Sequence, residues 1–476
     1  MKTDETRKAL FRRIPSLDSL LGDETVGPLI AAHGREAVVT AARAALDEVR
    51  TEIATSVPEP PDDIVSPQSL TALLSVRLAK RFAPSLTPAV NATGVVMHSG
   101  LGRAVLSPEA TVALAAVASG YSTLALDLET GKRVSRDRHV EGLLLELTGA
   151  EAATVANNNA AATVLILNSL ARGKEVVVSR GQLVEIGGSF RMPDVMTTSG
   201  AVLREVGTTN KTHLRDYEAA IGESTGAILR VHHSNYRIVG FAEEPPIEDL
   251  VAIGRARNIP VIDDLGSGAL VDLAPYGLAA EPLVPASIRA GADVVCFSGD
   301  KLIGGPQCGI IAGKSAWIQK ISKNPLARAF RCGKLSLAAL EATLKLFLAP
   351  DKLAERHPIY RMFALTPVEL DRRAKKLAVA LRKALPAPVA VTVEDGASQV
   401  GSGAVPIETL PSKVLAVRSP SLTPGDLARR LRLHTPPVFA RIHKDAVLFD
   451  LRTIQPGEDA IVVKALISIL AERPSE

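Results

Sequence analysis

The sequence contains few cysteines and few aromatic residues, and both shortages limit what it can encode. Three cysteines occur among 476 residues, Cys296, Cys308 and Cys332, and none of them has the close spacing of a metal site. This odd, scattered set argues against a disulfide framework and against zinc, so we expect reduced thiols packed in the interior. Because aromatic residues make up only 3% of the chain, aliphatic side chains must fill the core.

Long apolar runs are also absent. No run reaches the roughly 18 residues that a membrane-spanning helix needs, and the first residues, MKTDETRKALFRRIP, contain no apolar signal segment. These absences predict a cytoplasmic protein with no membrane partner. The formal net charge of +4 is mildly basic, which permits a nucleic-acid partner without requiring one.

Three stretches of different character predict three domains. Residues 1–85 carry apolar residues at helical spacing and predict a small helical domain. Residues 86–345 alternate helices with short β-branched runs, which indicates a large α/β domain. Residues 346–476 combine helices rich in Arg and Leu with a few strands, the pattern of a smaller α+β domain.

Within the first stretch, the apolar spacing predicts helices over residues 8–22, 28–54 and 69–82. Residues 55–69 contain several prolines and paired acids, and predict a linker or an extended crossing segment.

In the large domain, the candidate strands are short and almost wholly apolar. Strands covered on both faces have this composition, so a mainly parallel sheet flanked by helices is expected. The candidates are residues 175–179, 226–233, 260–264, 293–298 and 309–313.

One lysine lies where such a sheet binds ligands. The segment from Ser298 to Pro306, SGDKLIGGP, follows a candidate strand and places Lys301 at its carboxyl end. Open α/β sheets bind ligands at the carboxyl ends of their strands, and the glycines and Ser298 allow a bulky anion to approach. A partly desolvated lysine amine forms a Schiff base with pyridoxal phosphate, so Lys301 is the candidate for holding that cofactor.

An acidic pair follows a second strand. Residues 260–268, PVIDDLGSG, end in Asp263 and Asp264 and a glycine-rich turn, 37 residues before Lys301. A carboxylate against the cofactor's pyridine nitrogen keeps it protonated, and the ring then stabilises a carbanion. Asp264 is favoured over Asp263, but strand alternation leaves both open until the register is known.

The cofactor phosphate requires a third element, and the run Asn157, Asn158 and Asn159 precedes a predicted helix over residues 160–171. Helix amino termini bind anions through unpaired amides and the helix dipole, and asparagine caps such an end. Asn158 and Asn159 are therefore candidate cofactor-binding residues, together with Ser298.

Beyond these local signals, several segments are informative: VVVSRGQLVEIGGSFRMPDVM, EVGTTNKTH, HHSNY, DDLGSGALVDL and FSGDKLIGGPQCGII. Together they resemble the selenocysteine synthase family, the bacterial L-seryl-tRNA(Sec) selenium transferases. The resemblance continues from LFRRIPSLDSLL near the start to PVFARIHKDAVLFDLR near the end.

The resemblance implies the aminotransferase-like fold of pyridoxal-phosphate enzymes (fold type I) and a homo-oligomeric ring built from dimers. It implies conversion of seryl-tRNA(Sec) to selenocysteyl-tRNA(Sec) by loss of water and addition of selenium from selenophosphate. In the family, the amino-terminal domain binds the tRNA, and residues 1–85 correspond to it.

By the same resemblance, Lys301 and Asp300 belong to the catalytic set, and Arg103, Arg328 and Arg331 form the donor site. Guanidinium groups bind oxyanions such as selenophosphate through paired hydrogen bonds. Gln182 stands where other members have an acid, which puts in doubt a need for charge at that position.

Three points remain open. His232 and His233 follow a strand near the expected cofactor ring, where one could stack on it or both could be structural. The core motifs also fit a pyridoxal-phosphate lyase or desulfurase acting on a free amino acid or amino sugar, and Cys332 is the candidate nucleophile of a desulfurase. A non-catalytic RNA-binding protein is disfavoured, because Lys301, Asp264 and the asparagine run are all present.

Overall fold

A computed structural model describes residues 2–56, 61–187, 190–405 and 408–471. The chain divides into two compact units, one ending at Pro88 and the other beginning at Ala89. Over these described ranges, no helix is both long and apolar enough to cross a membrane.

The first unit is helical, as predicted. In its described residues, the α-helices are α1 (Lys2–Arg13), α2 (Leu17–Leu21), α3 (Gly27–His33), α4 (Arg35–Thr55) and α5 (Pro67–Phe82). Helix α4 has neither glycine nor proline, and its buried residues recur every three or four positions from Val38 to Ile53. Helix α5 begins at Pro67, where the Ser66 hydroxyl accepts a hydrogen bond from the Ser69 amide.

The predicted helix bounds in this unit were partly wrong. The helix predicted over 8–22 is interrupted at Pro15, whose ring prevents a continuous helix, and α2 restarts after the cap Ser16. The helix predicted over 28–54 is divided at Gly34, which has a left-handed φ of 81°. The predicted linker is shorter than expected, because Asp62–Val65 form a 3₁₀ turn and α5 follows; residues 57–60 lie outside the described ranges.

The second unit contains two larger sheets, a small hairpin and the remaining helices. Its strands are β1 (Val90–Ala92), β2 (Ala152–Ala156), β3 (Glu175–Ser179), β4 (Glu185–Ile186), β5 (Phe190–Arg191), β6 (Val202–Val206), β7 (Thr225–Val231), β8 (Val261–Gly266), β9 (Val294–Ser298), β10 (Gly309–Gly313), β11 (Ala390–Gln399), β12 (Thr409–Arg418), β13 (Val438–His443) and β14 (Ala446–Asp450).

Its helices are α6 (Pro108–Ala118), α7 (Arg138–Thr148), α8 (Asn159–Ala171), α9 (Met192–Ser199), α10 (Leu214–Ala220), α11 (Ile247–Arg257), α12 (Val284–Ala290), α13 (Ser315–Ser322), α14 (Pro325–Ala329), α15 (Lys334–Leu346), α16 (Leu353–Arg356), α17 (Pro358–Ala364), α18 (Pro367–Ala384), α19 (Pro424–Leu433) and α20 (Asp459–Ala471).

The larger sheet has seven strands in the order β2-β10-β9-β8-β7-β3-β6. Neighbouring strands from β9 to β6 run parallel, whereas β10 is antiparallel to both β9 and β2. Apolar side chains of the central strands are fully buried, including Val177, Ile262 and Ile310. These features confirm the predicted mainly parallel α/β sheet.

The smaller sheet has five strands in the order β1-β13-β14-β12-β11. Its core includes Leu370, Leu377 and Leu381 of α18, Leu427 of α19 and Leu466 of α20. Strand β1 comes from before the larger sheet in sequence and pairs in parallel with β13. The sequence analysis did not predict this pairing, and the domain limit at residue 345 stays a prediction.

At the end of β14, Asp450 is fully buried and makes several hydrogen bonds. Its carboxylate accepts from the hydroxyls of Ser398 and Ser412 at 3.0 and 2.6 Å and from Arg441 Nη2 at 3.1 Å. Gly94 lies against it with a φ of 77°, and a Cβ placed there would stand 2.2 Å from Asp450 Oδ2. Both the backbone conformation and the contact therefore require glycine.

We expect Gly94→Ala to lower the free energy of unfolding by about 2–5 kcal/mol, because the cost of backbone strain and the cost of overpacking are added together. Gly457→Ala is the control, because Gly457 has a φ of 90° and no atom within 4 Å of an added Cβ. This control should lower the free energy of unfolding by about 1 kcal/mol, because only backbone strain acts there. Urea unfolding followed by circular dichroism measures the free energy of unfolding of both variants. Equal decreases in the two would contradict the role of the Asp450 contact.

Candidate active site

A cavity of about 310 Å³ lies at the carboxyl edge of the larger sheet. Strands β2, β7, β8 and β9 run in the same direction, so the residues that follow them meet at this edge. The cavity is lined by the predicted residues Arg103, Asn158, Asn159, Asp264, Ser298 and Lys301. Separate segments of the chain thus supply one site.

Lys301 is 4% exposed and lies in a tightly bonded turn after β9. The Leu302 amide donates to the Ser267 carbonyl at 3.1 Å, and the Gly304 amide donates to the Lys301 carbonyl at 2.8 Å. Burial and the nearby Arg103 charge lower the pKa of Lys301, outweighing the carboxylates of Asp264 and Asp300. The neutral, nucleophilic amine is therefore more populated than in an exposed lysine.

Asp264 faces the same cavity and is held by three donors. Its Oδ1 accepts from Asn159 Nδ2 at 2.9 Å and from the Gly266 amide at 3.1 Å, and its Oδ2 accepts from Thr163 Oγ1 at 3.0 Å. Burial raises the pKa of Asp264, while the bonds from Asn159 and Thr163 oppose that rise. A cationic ring nitrogen beside this carboxylate would favour its ionised form.

The sequence analysis missed Thr163. It lies four residues after Asn159 on α8, so both side chains project from one face of the helix and reach the same carboxylate. That spacing was a usable signal once Asn159 had been singled out.

The neighbouring Asp263 does not line this cavity. Strand alternation directs it to the opposite face, where Arg230 Nη1 donates to its Oδ1 at 3.1 Å. Of the two acids left open by the sequence, Asp264 is the one beside Lys301 in this cavity.

The amino terminus of α8 points into the cavity. Asn158 caps it, accepting a hydrogen bond from the Ala161 amide through Oδ1 at 2.8 Å. In the part of the chain that the structure describes, two buried polar atoms of cavity residues, Asn159 Oδ1 and Ser234 Oγ, have no hydrogen-bond partner. The backbone amides at this helix terminus and the Ser234 hydroxyl can donate to an anionic ligand such as the phosphate of a cofactor, whereas Asn159 Oδ1 can only accept a hydrogen bond.

Comparison with known proteins decides the family. A family model described as L-seryl-tRNA selenium transferase matches residues 89–455, and a model described as selenocysteine synthase N terminal matches residues 11–50. The L-seryl-tRNA(Sec) selenium transferase of Nitratidesulfovibrio vulgaris is 49% identical over 465 residues, which cover 96% of this chain and 98% of that protein. The chain belongs to the L-seryl-tRNA selenium transferase family.

Other relatives agree with this membership. The transferase of the same name from Geobacter sulfurreducens is 47% identical, and the match covers 96% of this chain and 98% of that protein. Among solved structures, D-glucosaminate-6-phosphate ammonia-lyase covers 83% of this chain and 99% of its own at 22% identity and a TM-score of 0.56, which shows a shared fold. As a family member, the chain is a pyridoxal-phosphate-dependent transferase, and the cavity residues fit that cofactor.

Arg103, one of the three arginines that the family resemblance assigned to the donor, lines the Lys301 cavity. Its Nη1 donates to Asp300 Oδ2 at 2.9 Å, and its backbone has a left-handed φ of 62°. Non-glycine residues rarely adopt that conformation, and such strain is concentrated at functional sites.

Arg328 and Arg331, in contrast, line a different cavity of about 650 Å³ together with Arg133 and Arg136. Helix α14 ends at Ala329, so Arg328 lies on the helix and Arg331 follows it. The charge of Arg136, then burial and the remaining arginines, lower the pKa of Arg331. A single chain therefore does not bring the three predicted donor arginines into one cavity.

The two histidines have different surroundings. His232 lines the Lys301 cavity, and its Nε2 lies 3.1 Å from Glu281 Oε1, a partner that the sequence analysis did not predict. His233 lies outside that cavity, with Nε2 2.8 Å from the Gly181 carbonyl. Only His232 is thus placed beside the candidate catalytic residues.

Gln182 is 2% exposed, and its side chain forms a hydrogen bond with strand β7. Its Oε1 accepts from the Val231 amide at 3.0 Å, while its Nε2 lies 3.4 Å from Glu244. The amide can donate toward Glu244, which an ionised carboxylate at this position could not do.

The cysteines are free and buried. Cys332 Sγ donates to the Ala156 carbonyl at 3.1 Å, and burial raises the pKa of this thiol to about 12. A thiol held in this way is not a mobile nucleophile, which removes the observation that favoured a desulfurase. Within the described ranges, no group of three or more histidine, cysteine or acidic side chains could hold a metal ion.

The charge of Arg103 gives a pH-dependent prediction. Because Arg103 lowers the pKa of Lys301, Arg103→Gln should raise it, and the unpaired Asp300 carboxylate would act in the same direction. The neutral amine then forms at higher pH, so the pH of half-maximal adduct formation with added pyridoxal phosphate should rise by about one unit. Stopped-flow absorbance measures this, with Arg289→Gln as the control; an unchanged profile would contradict the coupling.

Proposed function

We propose that the chain converts L-seryl-tRNA(Sec) to L-selenocysteyl-tRNA(Sec) in the cytoplasm, with selenophosphate as the selenium donor. The observation that carries the proposal is the placement of buried Lys301 beside Asp264 in one cavity. Support also comes from the relatives named for this reaction, whose sequences match this chain along nearly their whole length.

In the proposed site, Lys301 would hold the cofactor covalently and Asp264 would face its ring nitrogen. The backbone amides of Asn158 and Asn159 at the amino terminus of α8, together with the Ser298 hydroxyl, would bind its phosphate. Bound pyridoxal phosphate supplies an electron sink for negative charge developing at the substrate Cα. The residues then have distinct tasks. Once the amino group of the seryl ester has taken its place on the cofactor, Lys301 Nζ would be a free amine, and its pKa, lowered by burial and by Arg103, would let it remove the proton from the seryl Cα.

Asp264, whose carboxylate is fixed by Asn159 and Thr163, would keep the ring nitrogen protonated. The protonated Lys301 Nζ would give its proton to the hydroxyl oxygen as the Cβ–O bond breaks with its electron pair on oxygen, so that water leaves. Selenium of hydrogen selenophosphate would then bond to Cβ while its proton is passed to Cα. Water would cleave the Se–P bond, which leaves a selenol on the tRNA and releases phosphate.

For the selenium donor, we propose binding by Arg103, Arg328 and Arg331, with Asp300 holding the Arg103 guanidinium. Because Arg328 and Arg331 line a separate cavity of the chain, the proposal includes a homo-oligomer in which these two residues serve the Lys301 cavity of a second copy. Guanidinium groups from two subunits would then surround one small polyanion.

Residues 1–85 are proposed to bind the tRNA. The helical unit is separate from the cavity-bearing unit, which suits a substrate much larger than the reacting group. Filter binding of the purified holoenzyme should retain selenocysteine tRNA more strongly than ordinary serine tRNA, and the charged tRNA should yield selenocysteine when selenophosphate is added. Equal, weak retention of both tRNAs, with turnover of free amino acids, would instead favour a small-molecule lyase.

The donor assignment predicts separable half-reactions. We expect Arg328→Ala and Arg331→Ala to eliminate water from seryl-tRNA(Sec) at near-normal rates but to lose selenium incorporation by about 100-fold each, since an oxyanion contact is removed. Radiolabelled selenium on the tRNA and release of the seryl hydroxyl measure the two steps. Arg257→Ala, at an exposed arginine on α11, is the control; full incorporation by either variant would remove it from the donor site.

A further inference from the structure

A second cavity, of about 340 Å³, adjoins the Lys301 cavity. We name it the flanking cavity; its walls include Asn210, His233, Tyr236, Arg237, Glu244 and Glu281. His232 lines both cavities, so they adjoin at this residue. No residue role derived above uses this space.

One wall of the flanking cavity is aromatic and firmly positioned. The rings of His233 and Tyr236 pack edge to face with their centroids 4.8 Å apart. Both side chains are anchored on the Gly181 carbonyl, which accepts from the Tyr236 hydroxyl and lies 2.8 Å from His233 Nε2. Fixed aromatic surfaces of this kind bind planar bases by stacking, with little entropy to lose.

The polar groups of the flanking cavity are mainly acceptors. Glu281 is buried, with one carboxylate oxygen 3.1 Å from His232 Nε2, and Glu244 lies 3.3 Å from His233. Carboxylates repel a phosphate but accept hydrogen bonds from amino and hydroxyl groups. The exposed Arg237 is the cation among these residues that could face a phosphate at the rim. The walls therefore favour a nucleoside, with an anionic group only at the edge.

We propose that the flanking cavity binds the 3′-terminal adenosine of the aminoacyl-tRNA. This inference rests on the proposed function, in which a seryl group lies beside Lys301. The amino acid of a charged tRNA is esterified to the ribose of that adenosine, so the nucleoside must occupy space directly next to the reacting group. The flanking cavity shares His232 with the Lys301 cavity, offers a stacking surface, and presents carboxylates to the adenine amino group and the ribose hydroxyl.

Binding without turnover tests the inference. The probe is 3′-deoxy-3′-(L-serylamino)adenosine, an amide that resists hydrolysis, titrated into the holoenzyme by calorimetry. We expect it to bind about tenfold more tightly than the matching uridine compound, because a purine stacks better and carries the amino group. L-serine amide, which lacks a nucleoside, reports on the Lys301 cavity alone.

Two cavity-filling variants locate the site. Ala242 and Ala280 line the flanking cavity and are exposed, so a large side chain at either position does not enter the core. Ala242→Trp and Ala280→Trp should each lower the affinity for the adenosine probe by about tenfold. The affinity for L-serine amide and the visible absorbance of the cofactor should stay unchanged. Ala256→Trp, at an exposed alanine of α11 outside the cavity, is the matched control.

Unchanged affinity for the adenosine probe in both filled variants would overturn the inference, as would equal affinity for the uridine compound. These measurements need no selenium transfer. A wild-type enzyme that binds the probe as expected but does not convert charged tRNA would therefore contradict the proposed function and not the nucleoside site.

Discussion

Lys301→Ala should lose the pyridoxyl adduct that borohydride reduction fixes to the wild-type holoenzyme, and its turnover should fall by about 10⁴-fold. Mass spectrometry of the reduced, digested protein tests the first result directly, because the adduct belongs on the peptide that contains residue 301. Lys320→Ala, which removes an exposed lysine of α13 from the same unit, should keep both the adduct and the activity.

The size of this effect follows from the surroundings of the amine. Lys301 is 4% exposed and held by a turn bonded to Ser267. Among the described residues that line the cavity, it is the single lysine, so none of them can replace it. Its lowered pKa serves both covalent attachment and proton removal, and the variant loses both. An adduct recovered on a different lysine, with activity retained, would transfer the catalytic assignment to that residue.

Asp264→Asn should lower kcat by about 10²–10³-fold while the protein still binds the cofactor. Asparagine keeps the size of the side chain and can still accept hydrogen bonds from Asn159 or Thr163, but it cannot hold a positive charge on the ring nitrogen. Single-turnover kinetics with charged tRNA measure the loss. The visible spectrum of the bound cofactor reports its retention and the protonation of the ring.

The adjacent acid gives a matched comparison. Asp263→Asn removes the charge that pairs with Arg230 on the far face of β8, so it should cost about 2 kcal/mol of stability and leave the kcat of the folded enzyme nearly unchanged. Urea unfolding and the same kinetic assay separate the two effects. Equal loss of kcat in both variants would contradict the assignment of Asp264 as the residue facing the cofactor.

The sequence predicted β3, β7, β8, β9 and β10 of the larger sheet but missed its two outer strands, β2 and β6; most side chains of β6 are exposed, so it lacks a continuous apolar run. Residues 175–179 and 309–313 form β3 and β10 with the predicted bounds, because continuous apolar runs flanked by glycine or polar residues have few alternatives. Lys301, Asp264 and Asn158 could be placed together before any coordinates, since parallel strands end at one edge.

Other features depend on distances that a pattern does not encode. The pairing of β1 with β13 joins residues far apart in sequence, and three residues are too few to carry a strand signal. Glu281 reaches His232 from an irregular segment without periodicity. The separation of Arg328 and Arg331 from Arg103 depends on the fold as a whole, and family resemblance gives residue identity but not proximity within one chain.

The parallel pairing of β1 with β13 has a practical consequence for dissecting the molecule. Since one border of the five-stranded sheet is supplied by residues 90–92, a recombinant fragment covering only residues 346–476 would leave β13 with a bare row of amides and carbonyls. It would also lack Gly94, whose close fit to Asp450 completes that corner. Such a fragment should self-associate, and supplying a peptide that spans residues 89–97 should suppress that aggregation.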